Sequence, residues 1–427
     1  MTSDNSWKKI ISWSLYDFAN SAFATTVMAG FFPLFFKQYW SAGVDATRST
    51  FHLGIANSIA SGIVVVIAPI LGAIADRGSF RKKFLISFAA LGVAATGLLY
   101  LVGQGHWLFA AALFVIAAVG FSGSNVFYDS LIISVAAENK VDFVSALGYS
   151  LGYLGGGLLF ALNVFMVLKP QLFGLADAGQ AVRISFITVA IWWSLFSIPL
   201  MLFVKEPLHG EPMGWKKSIT GGFGQLADTF RKVRKLKVVI LFLVGYWFYI
   251  DGVHTIIRMA VDYGLSIGLD SNSLILALLI TQFVGFPSAI VFGKIGEKLG
   301  PKTGIYIAII VYVCITGWGY FLDTEAEFFA MAIAIGLVQG GVQSLSRSFY
   351  TRIIPKDQAA EFFGFYNMLG KFAAVLGPIL MGWVAVATGA PRNAIFVVTV
   401  LLIIGAACLF FVNEEEGKRA AAELVIE

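Results

Sequence analysis

Charge is scarce in this chain. Only 13% of its 427 residues are Asp, Glu, Lys or Arg, while 58% are hydrophobic and the mean hydropathy is +0.82. Soluble domains carry roughly 25% charged residues, so a water-soluble fold could not shield this much apolar surface. Cysteine is nearly missing as well. Cys314 and Cys408 both fall inside apolar runs, which marks them as small packing residues and excludes a disulfide framework or a thiolate metal pair. The four histidines have no zinc spacing, and neither a phosphate loop nor a nucleophile elbow is present. No metal, cofactor or nucleophile–base constellation is expected, and the chain does not read as an enzyme. A cleavable leader is not expected either: the run after Lys8 and Lys9 is too long for a signal core and lacks a small-residue cleavage site.

What recurs instead is apolar runs of about 18 to 25 residues, each able to cross a ~30 Å hydrocarbon layer as a helix. They predict an all-α polytopic membrane protein. Twelve spans are expected, at 12–36, 52–75, 84–103, 107–135, 143–168, 183–204, 238–262, 272–293, 303–322, 327–350, 360–386 and 393–412. The polar break "KEPLHGEPMGWKKSITGGFGQLADTFRKVRKLK" divides them six and six. It gives an N-terminal bundle (1–204), a basic linker (205–237), a C-terminal bundle (238–412) and a polar tail (413–427) to which no function is assigned. In the linker, Leu226, Phe230 and Val233 recur at helical spacing opposite Arg231, Lys232 and Lys235. That pattern is open to an interfacial helix or to a solvated basic connector.

Basic residues orient the spans. Twenty-two of the 30 Lys and Arg fall on the face carrying both termini and five on the other, so both termini are expected in the cytoplasm. The net charge of +5 then records topology and attraction to anionic membrane lipids; no nucleic-acid partner is expected.

The halves echo each other in the same direction. "GAIADRGSFRKK" after span 2 is answered by "GKIGEKLGPK" after span 8, matching Gly72, Asp76, Arg77 and Arg81 with Gly293, Glu297, Lys298 and Lys302 at a constant offset. "YDFAN" in span 1 aligns with "YIDGVH" in span 7, and with it Asp17 with Asp251. Gly120 and Gly148 find Gly336 and Gly364. Parallel six-span halves imply two bundles rocking about a midplane site.

Twelve spans, a long middle linker and the Gly-x-x-x-Asp-Arg-x-x-x-Arg-Lys loop resemble the major facilitator superfamily. Within it, "SLYDFANSAFATTV", "NVFYDSLI" and "SLSRSFYTRIIP…EFFGFYNMLGK…GP" resemble the autophagy-related vacuole-effluxer-like family over essentially the whole chain. The resemblance implies two pseudo-symmetric six-helix bundles and amino-acid efflux, as for the fungal vacuolar members. Without long tails or large loops, the chain is expected to be a bacterial inner-membrane member. The resemblance also implies that Gly72, Asp76, Arg77 and Arg81 latch the half-bundles on the cytoplasmic side, with spans 3, 6, 9 and 12 facing lipid. Span 5 lacks the proline of the superfamily's antiporter motif, so antiport is not signalled.

Ionisable residues obey that division. The interiors of spans 3, 6, 9 and 12 hold none, whereas Asp17 lies in span 1, Asp129 in span 4, Asp251, His254 and Arg258 in span 7, Arg347 in span 10 and Lys371 in span 11. Such groups cost least where water or a partner reaches them. Asp17, Asn20, Ser21, Ala24 and Thr25 share one helical face, which either lines water or lets a neighbour pack closely. At 1.5 Å per residue Asp17 is only about 8 Å from the cytoplasmic end, which suits an inner gate or proton port.

Span 4 carries Ser122, Asn125 and Asp129 on one stripe, and span 10 carries Gln339, Gln343, Arg347 and Tyr350. Asp129 and Arg347 lie at nearly matching depths. Two readings follow: a salt bridge between halves that closes the inner mouth, or local pairing within each half. Near the midplane stand Asp251 and Lys371, with His254, Tyr366 and Asn367 alongside. They either hold the ammonium and carboxylate of a zwitterion or neutralise each other structurally; Asn20, Asn125 and Gln343 complete the candidate substrate set. Arg258 has a possible local partner in Asp262. Candidates for proton coupling are Asp17, Asp129 and Asp251, with Asp17 favoured because its own face holds no cation.

The function expected is secondary active transport of a small-molecule substrate by alternating access. Amino-acid export coupled to protons comes first, and an amphipathic, drug, peptide or lipid-like cargo is the alternative. A non-transporting sensor or scaffold is the rival of another class, and it has little use for intramembrane charges in both halves.

Overall fold

The computed structural model describes residues 7–44, 46–206, 236–266, 271–373, 376–389 and 391–426. The helical pattern read at 226–235 therefore lies outside the described residues. Among those described, twelve helical stretches are long and apolar enough to cross a membrane. Six precede the linker: α1 (Trp7–Trp40), α2 (Ala46–Gly78), α3 (Arg81–Leu101), α4 (Trp107–Val135), α5 (Val141–Leu168) and α6 (Ala178–Phe203). After it come α7 (Lys237–Ser266), α8 (Ser271–Leu299), α9 (Pro301–Gly319), α10 (Glu325–Ile353), α11 in two described pieces (α11a, Ala359–Phe372; α11b, Leu376–Thr388) and α12 (Ile395–Phe410). A further helix, α13 (Glu414–Ile426), follows the last span.

Local chemistry sets several ends. Asp177 caps α6 by accepting the Gln180 N–H at 2.7 Å. Thr324 and Glu327 form a capping box at the start of α10. Gly300 turns the chain at φ 86° and Pro301 opens α9, where a missing N–H costs nothing. In α1 the winding widens over Phe23–Phe31, where the Phe32 N–H reaches back five residues to the Val27 carbonyl. Pro33, next in line, has no N–H with which to resume the ordinary ladder.

The halves meet through α2, α4 and α5 on one side and α8, α10 and α11a on the other. Part of their contact lies at the end that carries the first residues of α1 and the whole of α13. There Gly72 of α2 lies so close to α11a that a Cβ would stand 2.4 Å from the Ala360 carbonyl oxygen. Its sequence counterpart Gly293 does the same to α5, where a Cβ would meet Ala146 Cβ at 2.6 Å. The repeat seen in sequence is thus a repeat in packing.

Span 11, expected over 360–386, is met by the candidate span Ala359–Ala385, described as α11a and α11b on either side of residues 374–375, which lie outside the described ones. The polar tail forms α13, which packs against the end of α10.

Candidate functional site

The closed end is built around one guanidinium. Arg347 on α10 is 1% exposed, and its partners come from the other half. Nη1 reaches Asp129 Oδ1 of α4 at 2.9 Å and Asp17 Oδ2 of α1 at 3.6 Å. Nε donates to Ser145 Oγ (2.9 Å) and Nη2 to the Ser145 carbonyl (2.8 Å), both on α5. Three rings complete the enclosure: Tyr149, Trp13 and Tyr128 have centroids 4.4, 4.9 and 5.5 Å from its Cζ. A buried cation needs this much, because its attraction to one acid alone would not offset the loss of water.

The acids are held unequally. Asp129 also accepts from Asn367 Nδ2 of α11a at 3.1 Å, so it is gripped by two elements of the opposite half. Asp17 stands farther from the guanidinium and accepts from the Tyr128 hydroxyl at 2.9 Å. Ser145 Oγ in turn donates to the Ser344 carbonyl of α10 at 2.7 Å. At Gly148 a Cβ would lie 2.8 Å from Asp17 Oδ2 and 3.0 Å from Arg347 Nη2, so only glycine leaves the cluster room.

A second layer rims this mouth. Asp76 bonds Arg81 Nε at 2.6 Å and also caps α11a, accepting the N–H groups of Ala360 (3.1 Å) and Glu361 (2.9 Å). Arg81 donates onward to the Asp357 carbonyl at 3.1 Å. Glu206, just beyond α6, accepts the Arg81 and Lys82 N–H groups at 2.8 and 3.0 Å. Burial raises the Glu206 carboxyl above its ordinary range, and those two donors pull it back. Arg77 is half-buried at the end of α2. On the α5 side, Asp142 pairs with Arg352 at 2.5 Å, and Lys356 with Glu138 at 3.3 Å.

The midplane candidates lie on α7, α10, α11a and the first half. Asp251 is fully buried and accepts the Gly377 N–H on both oxygens at 3.1 Å, with Thr255 Oγ1 at 3.4 Å. It thereby ties α7 to the first described turn of α11b. Lys371 lies in the last described turn of α11a, with Nζ 5.9 Å from the Phe121 ring centroid of α4. His254 is half-buried one turn after Asp251. Tyr366 stacks on Tyr246 at 4.2 Å, while Asn367 is drawn into the mouth cluster. Gln343 accepts from the Tyr153 hydroxyl at 3.1 Å across the halves, and Asn20 donates to Asn125 at 2.6 Å within one. The side chains of Arg258 and Asp262 lie outside the described residues.

A family model described as "Vacuole effluxer Atg22 like" matches residues 42–140 and 134–422. The MFS-type transporter YxiO of Bacillus subtilis (strain 168) is 39% identical over 95% of this chain and 94% of its own. The chain belongs to the Atg22-like family. Autophagy-related protein 22 of Yarrowia lipolytica is 23% identical over 84% of this chain and 75% of its own. Among solved structures, the major facilitator superfamily proton:xylose symporter XylE superposes with a TM-score of 0.72 over 98% of both chains at 14% identity, a likeness of fold. This Atg22-like protein is an integral membrane transporter of the major facilitator type.

Several residues of the Atg22-like mouth carry no signal in the sequence. Ser145, Trp13, Tyr128 and Tyr149 reach Arg347 from three helices, and serine and aromatics are too common in membrane spans to stand out. Gly148 was a better pointer than any of them, since a glycine beside Tyr149 marks where α5 must leave space.

Proposed function

We propose that this Atg22-like transporter exports a small zwitterionic solute, amino acids first, by proton-coupled alternating access across a bacterial inner membrane. Its termini are cytoplasmic, so the closed end is the inner mouth. The reading is carried by one observation: Arg347 of the second half is bound at once by Asp129 and Asp17 of the first. An ion pair that joins two rocking bundles exists in one state and must break in the other.

The charge count of the cluster supports the coupling. Two carboxylates share one guanidinium, so a single proton brings the buried group to neutrality. Asp17 is the acid to receive it, because Asp129 keeps both Arg347 and Asn367. Directly above, Asn125, Tyr149, Gln343 and Lys371 are half-buried. Lys371 takes the solute carboxylate, and the Tyr149 face with the amide oxygens takes the ammonium. Asp251, engaged at α11b, ties that helix to α7. The stacked Tyr246 and Tyr366 favour a second reading, a solute with an apolar body.

Counterflow of labelled amino acids in proteoliposomes, with and without a pH gradient, tests the proposal. At least one amino acid is expected to exchange faster than in protein-free vesicles, to respond to the gradient, and to lose both effects in Lys371→Met. No counterflow for any common amino acid contradicts the cargo; counterflow indifferent to the gradient contradicts the coupling.

A further inference from the structure

The loop between α8 and α9 repeats the loop between α2 and α3 in sequence but not in employment. Gly293 and Gly296 face the start of α5 as Gly72 faces the start of α11a. Yet Glu297, in the place of Asp76, is exposed. Lys302, in the place of Arg81, donates to the Phe410 and Val412 carbonyls at the end of α12, at 3.0 and 2.7 Å. The first latch therefore has no loop-borne twin among the described residues.

Something else holds α5 at the equivalent position. Asp142, with no exposed surface, accepts from Arg352 Nη2 at 2.5 Å across the two halves. The other terminal nitrogen of Arg352 is taken by Glu414, the first residue of α13, at 3.3 Å. Lys418, one turn on, bonds the same Glu414 oxygen at 2.9 Å. Helix α13 is itself seated: Gly417 lies against Ile353 and Val238, and Ala421 is buried.

We propose that Glu414 is a positioning residue for the inner mouth. It holds the Arg352 fork in the orientation that Asp142 accepts, so α13 sets how readily the mouth opens. An arginine at a helix end has many rotamers, and anchoring one terminal nitrogen removes those that miss Asp142 before the halves meet. When the halves part and Asp142 leaves, Glu414 stays behind to neutralise Arg352. The tail helix thus replaces the latch that the second loop does not make. The inference rests on the alternating-access reading above.

Distance measurements between spin labels decide it. The full-length protein with Cys314→Ser and Cys408→Ser is labelled at Asn139→Cys and Lys298→Cys, exposed positions on the two halves at this mouth. Glu414→Gln is expected to raise the long-distance population about fivefold, the scale of one part-exposed ion pair, and Glu414→Asp to restore it. In an Asp142→Asn background Glu414→Gln is expected to add nothing. A distribution unchanged by Glu414→Gln, or an equal shift in the Asp142→Asn background, overturns the proposal. A wild-type protein with one distance population under every pH and solute condition contradicts alternating access itself.

Discussion

Arg347 is enclosed by partners from three helices of the other half, and what they cost one another gives the residue-scale prediction. Removing one member of a buried pair typically destabilises by about 3–5 kcal/mol, because the survivor is left charged and dry. Here the loss falls on the state with the mouth closed. Asp129→Arg alone places two cations together and is expected to abolish counterflow, whereas Asp129→Arg with Arg347→Asp recovers part of it. Equal loss in both proteins argues against this pair as the closure. The pairing was half legible in the sequence. A fixed rise per residue puts Asp129 and Arg347 at one depth, but only three-dimensional convergence shows that they meet, and that Asn367 joins them.

Among the elements, α11 holds the contact least legible in sequence: nothing in the residue pattern says that a carboxylate from α7 accepts the Gly377 N–H. That contact separates two roles for Asp251. Asp251→Asn keeps an acceptor for the Gly377 N–H, so counterflow is expected to persist. Asp251→Ala is expected to lower stability by about 1 kcal/mol, the usual net worth of a hydrogen bond, read as a fall in melting temperature. If Asn inactivates as fully as Ala, Asp251 carries substrate or proton instead. The approach of α2 to α11a yields a second test. Gly72→Leu puts a side chain where a single Cβ already comes within 2.4 Å of Ala360 backbone. Overpacking of this kind costs about 1–3 kcal/mol, here charged to the closed mouth alone, so the open population is expected to rise in the spin-label assay. Helix α13 is not legible in the sequence because its seated face, Gly417 and Ala421, is too small to stand out in a short, charged tail.

At the scale of the whole molecule, the twelve spans were legible because hydrocarbon thickness fixes length and composition so tightly. The asymmetry between the halves was not. Asp17 and Asp251 align in the repeat, yet one serves the mouth and the other α11b; Arg81 and Lys302 align, yet one latches the halves and the other ties α9 to α12.

In the proposed cycle one guanidinium, that of Arg347, keeps the inner mouth shut. Ser344 lies wholly buried there, its carbonyl bonded to Ser145 across the halves. Alkylation of Ser344→Cys by a polar thiol reagent, in protein lacking Cys314 and Cys408, reads the mouth directly. The account predicts slow labelling with Arg347 present and labelling at least several-fold faster in Arg347→Gln. Equal protection in both proteins would contradict it.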